Sequence, residues 1–359
     1  MVYAPEAKKN KKINRENLRK ILLLGLIIFL IFSILSGLLN GASNTSLIDF
    51  LYSMFTQEFF VSRKMRDYLI FIDIRLPRII LGLLIGAALA VSGVLMQGLF
   101  RNPLADPGIV GVSAGAGLGA VLAIVVGFAF PVSFAPFLEP YKVIIGAFLG
   151  GLLSTIVLYI IATHHHFTSI ATMLLAGIAL GALSSAVVGM LIFIANDQQL
   201  RDITFWSLGS LAGATWLKVW IVLPFIFIGL LFSPFLSRAL NALALGEAVA
   251  GHIGFPIQRV KNIAIPLVAL MCGSAVAVSG GIGFIGIIVP HILRQLIGPD
   301  HRYLIPYSAL LGAALLIFAD TFARLIVAPA ELPIGIVTAL FGAPFFLWIL
   351  ICKRGTDFS

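Results

Sequence analysis

Uncharged apolar stretches follow one another along almost the whole of this 359-residue chain, each long enough to cross a hydrocarbon core, which takes about 20 helical residues. That feature leaves few folds open. In hydrocarbon every backbone donor and acceptor must be paired within the protein, so spanning segments are helices or strands of a closed barrel. Barrel strands read as short segments of alternating polarity, whereas 143–162 is mostly Ile, Val, Leu, Gly and Ala without a single charge. The expected fold class is therefore all-α, a polytopic membrane helical bundle. Composition agrees, because 60% hydrophobic and 11% charged residues with a mean hydropathy of +1.07 exceed what a soluble domain keeps in water.

Divided at charges and Pro/Gly breaks, the chain gives about ten spans, at 21–40, 76–100, 108–128, 143–163, 168–195, 216–236, 262–280, 284–298, 303–327 and 333–352. The eighth is short and holds Pro290, His291 and Arg294, so it reads as broken or partly re-entrant. Residues 1–20 form a basic N-terminal segment, 21–352 one transmembrane domain with halves 21–195 and 216–352, and 353–359 a tail. The first apolar run follows seven Lys or Arg and resembles a signal peptide, but it is long and lacks an evident cleavage site, so it reads as a retained span.

The net charge of +9 does not point to nucleic acid, since the basic residues cluster at span ends and in the N-terminal segment. With the N-terminus inside, the cytoplasmic side holds 15 Lys and Arg and the outer side 9, the bias that sets topology. An inner (plasma) membrane protein with both termini cytoplasmic is expected. The longest polar segments are then 41–75 and 196–215 outside and 237–261 inside. Cys272 and Cys352 are the two cysteines, too few and too apolar in setting for a disulfide framework.

An internal repeat is visible. Ala88 to Gly93 reads Ala-Leu-Ala-Val-Ser-Gly, and Ala275 to Gly280 reads Ala-Val-Ala-Val-Ser-Gly, a shift of 187 that also pairs Leu83 with Leu270, Gly86 with Gly273 and Pro103 with Pro290. Five spans per half force opposite orientations, so the repeat is expected to be inverted, as in many transport pathways. Small residues four apart, at Gly82, Gly86 and Ala90, at Gly111, Gly115 and Gly119, at Gly146 and Gly150, and at Gly177 and Gly181, suit close helix packing in lipid. The Gly111–Gly119 stretch is not a phosphate loop, because no Lys-Ser or Lys-Thr follows it.

No set of converging nucleophiles, acids or metal ligands points to an intramembrane enzyme, and no cofactor or metal site is expected. Every acid except Asp320 falls at a span end or in a loop, and Asp320 stands one turn from Arg324, as a local ion pair would. His164, His165 and His166 form a short turn and read as a solvated loop. An ion-gradient carrier with inverted repeats is the alternative reading, and it would need ionisable groups near mid-membrane. Since the dipeptide Gly-Lys never occurs, ATP, if it drives transport, acts through a partner. The candidate contact is 243–255, Leu-Ala-Leu-Gly-Glu-Ala-Val-Ala-Gly-His-Ile-Gly-Phe, helical in pattern and fit for a groove on a soluble partner.

Several segments resemble the FecCD-type permeases of ATP-binding-cassette importers for iron-siderophores, haem and cobalamin. They are Arg75-Leu-Pro-Arg78, Arg101-Asn-Pro-Leu-Ala-Asp-Pro-Gly108, Leu245-Gly-Glu-Ala248 with Gly254, Gly283-Phe-Ile-Gly286, Pro290-His-Ile-Leu-Arg294, Ala319-Asp320 through Arg324 to Glu331-Leu-Pro-Ile-Gly335, and Gly342-Ala-Pro-Phe345. The resemblance implies a homodimer of ten-span subunits, two cytoplasmic ATP-binding subunits and an extracytoplasmic substrate-binding protein. By the same resemblance Arg75, Arg78 and Arg324 dock the binding protein, Gly246, Glu247, Ala248 and Gly254 belong to the ATPase-coupling segment, and Asn102, Leu104, Ser169 and Ile170 narrow the cytoplasmic end of the pathway. Ile170 departs from the small polar residue of some relatives. Arg101, in place of an acid, leans toward an iron chelate over cobalamin.

Overall fold

The computed structural model describes residues 6–41, 62–127, 138–164, 167–328 and 330–354. Its helices, in chain order, are α1 (Glu6–Leu39), α2 (Ser62–Leu69), α3 (Leu76–Leu99), α4 (Val112–Val125), α5 (Lys142–Ala162), α6 (Ile170–Ile194) and α7 (Asp197–Ser207). The second half continues with α8 (Trp216–Phe232), α9 (Ser237–Leu243), α10 (Glu247–His252), α11 (Ile257–Ser279), α12 (Ile285–Ile297), α13 (His301–Ile326) and α14 (Ile334–Arg354). Apolar helices stand at all ten expected positions. Seven are long enough to cross a membrane, while α4, α12 and the apolar part of α14 are shorter.

Differences from the sequence expectation fall at helix ends. Helix α1 starts inside the basic segment and runs unbroken into the first span, since Lys, Arg and Glu are good helix formers. Ahead of α3 the chain is already helical from Ser62, with a π-helical stretch over Ile70–Arg75. Pro77 explains the widening. It has no N–H for the carbonyl four residues back, and Leu76 N–H reaches the Phe71 carbonyl, five back. The eighth span is unbroken at Pro290, and the break lies before it, where Gly280–Phe284 is not helical.

Helix α3 is the centre of the bundle, with every residue from Ile85 to Leu99 buried, and α11 packs across it. The packing obeys the inverted repeat. Helix α3 lies on α13 as α11 lies on α5, α12 lies on α3 as α4 lies on α11, and the trio α4, α5, α6 makes the same mutual contacts as α12, α13, α14. Glycines permit the closest crossings. A Cβ on Gly86 would lie 2.3 Å from the Gly312 carbonyl oxygen, one on Gly119 2.0 Å from that of Gly146, and one on Gly115 2.3 Å from that of Gly150. By contrast Gly181 meets nothing within 4 Å, and α6 buries only Met173, Ser184 and Leu191. Most of its apolar surface has no partner among the described residues.

Candidate functional site: charged ends and a hollow centre

Charged and polar groups gather at three levels. The end of the bundle where α1 begins and α14 finishes is the near end. At the opposite, far end, the last turns of α1 and α13 meet the first turn of α3, and three arginines converge. Arg78 donates Nε and Nη2 to Asp320 at 2.9–3.2 Å and Nη1 to Glu331 at 2.9 and 3.0 Å. Arg324 Nε lies 3.3 Å from Asp320 Oδ2, while its Nη atoms donate to the Asn40 and Gly37 carbonyls. Arg75 donates to the Leu38 and Leu39 carbonyls and stacks 5.0 Å from the Phe71 ring centroid. The Gly37, Leu38 and Leu39 carbonyls belong to the last turn of α1, which leaves them without intrahelical partners, and Asn40 follows directly. All three guanidiniums are buried, and Glu331 is the half-exposed member of the cluster.

Midway, the α3–α4 link folds back into the bundle. Asp106, Pro107 and Gly108 line a cavity of about 300 Å³ with Leu89, Cys272 and Phe284. Leu89 sits midway along α3, so this loop, which reads in sequence as the end of a span, lies in the middle of the helix stack. Asp106 Oδ1 accepts from Gly108 N–H at 2.7 Å. Two short helices start beside it in opposite directions: α4 after Gly111 (φ 76) and α12 after Phe284 (φ 68). Both starting residues are left-handed, a conformation rare for Phe, and their matching places follow from the repeat. Irregular backbone at this depth is tolerated where it is enclosed by protein or lines a cavity.

At the near end, the helix expected over 243–255 is shorter, with only Glu247–His252 (α10) forming a helix of its own there and Leu243 ending α9. Helices α9 and α10 are separated by Gly246 (φ 113), and Gly254 (φ 95) follows α10, backbone values that favour glycine. Glu247 opens α10, where a carboxylate suits the helix dipole. Beside it, Thr163–His164 (β1) and Phe167–Thr168 (β2) form a two-residue antiparallel ladder joining α5 to α6. Lys261 of α11 is buried and donates Nζ to the Thr168 carbonyl at 2.9 Å and to Glu247 at 3.0 Å. Gln258 binds Thr168 N–H and Oγ1. A groove of about 520 Å³ opens between these pieces, lined by Phe167, Glu247, Ala248, Gly251 and Phe255. Nearby, Asp300 caps α13 through Arg302 N–H and accepts from Asn241 of α9. Burial alone would raise the Asp300 carboxyl, but these hydrogen bonds and the Arg302 charge hold it below its ordinary range.

Each expected site residue falls at one of these levels. Arg75, Arg78 and Arg324 share the far-end cluster. Glu247 and Ala248 line the near-end groove, while Gly246 and Gly254 flank α10 on either side. Asn102 and Ser169 are exposed at the near end, Asn102 folding its Oδ1 onto Leu104 N–H at 3.0 Å and Ser169 capping α6 by accepting from Thr172 N–H. Leu104 and Ile170, beside them, are half-buried. His165 and His166 lie outside the described residues. Sequence reasoning paired Asp320 with Arg324 one turn away and missed its closer partner, Arg78, 242 residues distant. It also missed Lys261, whose place near the start of a span looks like an ordinary anchor.

The sequence pattern of the FecCD transport family matches residues 26–352. The hemin transport system permease protein HmuU of Yersinia pestis is 47% identical over 289 residues, covering 79% of this chain and 84% of its own. The vitamin B12 import system permease protein BtuC of Shigella boydii is 41% identical over 340 residues, 95% of this chain and 97% of its own. A solved inward-facing metal-chelate type ABC transporter superposes with a TM-score of 0.79 at 33% identity, over 93% of this chain and 99% of that one.

Proposed function

This chain belongs to the FecCD transport family and is a membrane-spanning permease subunit of the ATP-binding-cassette importer type; we propose that its cargo is a bulky metal chelate, with hemin the first candidate. Two copies form the pathway, two ATP-binding subunits engage the near end, which is cytoplasmic, and a substrate-binding protein docks at the far end. The chain itself holds no ATPase site in this reading, and energy arrives through Gly246–Glu247–Ala248 and the groove beside them.

The observation that carries the reading is the family match over 26–352 on a bundle whose charged clusters sit at its two ends. The far-end cluster suits a docking rim: Arg75, Arg78 and Arg324 are held as a preformed block of positive charge, from which acidic side chains of a partner can draw Arg78 or Arg324 away from Asp320 and Glu331. The unpartnered face of α6 suits a second copy across a central path, with Ser169, Ile170, Asn102 and Leu104 at its cytoplasmic mouth. A largely apolar interior, in which no group of three metal-ligating side chains gathers among the described residues, suits a chelate over a bare ion, which would have to shed its hydration. Hemin comes first because the HmuU-like sequence is the nearer of the two relatives named, by 47% to 41%.

The test is competitive uptake into vesicles bearing the chain with its ATPase and binding-protein partners. Hemin accumulating ahead of a ferric siderophore and of cobalamin supports the assignment, and preferential cobalamin uptake overturns it. Charge reversal of Arg75 and Arg324 to Glu should abolish stimulation of ATP hydrolysis by the binding protein, and an unaltered response removes the docking role.

A further inference from the structure

We propose that Lys261 is a positioning residue that transmits displacement of the α10 coupling helix to the mouth of the pathway at Thr168 and Ser169. The proposal rests on the reading of the Glu247 segment as the ATPase contact and adds the part that carries movement onward.

The physical case lies in how completely Thr168 is strapped to α11. Its N–H donates to Gln258 Oε1 at 3.0 Å, its Oγ1 accepts from Gln258 Nε2 at 2.7 Å and meets Thr163 Oγ1 at 2.9 Å, and its carbonyl accepts from Lys261 Nζ at 2.9 Å. Thr168 is itself buried. The next residue, Ser169, caps α6, the helix with the largest unpartnered face. On its other side the same Lys261 ammonium lies 2.9 Å from Glu247 Oε1. One charge therefore bridges the first residue of the coupling helix and the last residue of the strand that leads into the gate. The ammonium has a side-chain exposure of 5%, whereas Glu247 has 39%. A buried ammonium is costly to leave unpaired, so when α10 shifts Glu247, either Lys261 follows or a charge is stranded. Following carries the Thr168 carbonyl with it. The remaining strap, Gln258, is also bound to Asn262, which in turn accepts from Tyr159 of α5, so the ladder, α5 and α11 move as one block.

The experiment measures hemin uptake and ATP hydrolysis together in vesicles holding the whole complex. K261M keeps the aliphatic stem and removes both polar links. ATPase subunits should co-purify and hydrolysis stay within about twofold, while uptake per ATP falls by roughly tenfold to hundredfold, the weight of a charge-assisted hydrogen bond. K261R, which offers donors to both partners, should restore most of the ratio, a rescue that a purely space-filling role would not produce. Q258L, at a more exposed site, removes the second strap and should lower the ratio less. A wild-type ratio in K261M overturns the inference, as does a wild-type ratio in Q258L should K261M not fold. A wild-type chain that neither assembles with an ATPase nor takes up hemin fails at the earlier step, and sinks the importer reading along with this one.

Discussion

Arg78→Met tests the far-end cluster on which the arrangement of α1, α3 and α13 depends. Methionine preserves much of the aliphatic stem and removes all hydrogen bonds from Arg78 to Asp320 and Glu331. Glu331 is half-exposed and can be solvated, but Asp320 is buried, and its remaining charged neighbour is Arg324 at 3.3 Å. Removing one partner of a buried ion pair costs about 3–5 kcal/mol, and the residual Arg324 contact puts the expected loss near the lower bound. Interhelical polar contacts in membranes average only about 0.6 kcal/mol, because segments separated within lipid find other partners. The stranded carboxylate is what should lift this site above that average. Reversible unfolding in mixed micelles measures the loss, and R78M/D320L should recover most of it, since a buried pair replaced by apolar groups is often neutral. A loss for R78M at or below about 0.6 kcal/mol, or a double variant no more stable than the single one, would refute the reasoning.

Gly119→Leu should separate α4 from α5, since even a Cβ would lie 2.0 Å from the Gly146 carbonyl oxygen, and overpacking of at least about 1–3 kcal/mol should appear as a lowered unfolding midpoint in detergent. Gly246→Ala meets no close side chain but forces φ 113 on a residue with a Cβ; strain of about 1–3 kcal/mol should tilt α10 and lower ATP-driven uptake, with unaltered uptake counting against the α9–α10 geometry. Asp106→Asn should leave ATP-driven uptake in place, because in an ATP-driven permease the mid-bundle carboxylate carries no coupling ion; loss of uptake with hydrolysis intact would favour ion coupling instead.

The general architecture was legible because lipid imposes a length and a composition on every span. The repeat was legible because Ala88–Gly93 and Ala275–Gly280 keep nearly the same residues on equivalent helices, although Gly93 lies inside α3 and Gly280 ends α11. What the sequence did not disclose was depth and distant pairing. Asp106 sits in a Pro- and Gly-rich segment that looks like a surface turn, and only the back-folding of 101–111 carries it to the cavity beside Leu89. The Arg78–Asp320 pair joins residues in different halves of the chain, so the nearer Arg324 took its place in a reading limited to helical spacing. Gly246 was readable as a motif residue, yet its positive φ, which separates α9 from α10, is a backbone value that residue identity alone does not announce.

The most direct test of the whole account is uphill solute accumulation by the purified chain in sealed vesicles, with and without its ATP-hydrolysing partner. Accumulation that requires both the partner and ATP, and that ignores an imposed proton or sodium gradient, is the predicted result. Accumulation by the chain alone, driven by such a gradient, would contradict it.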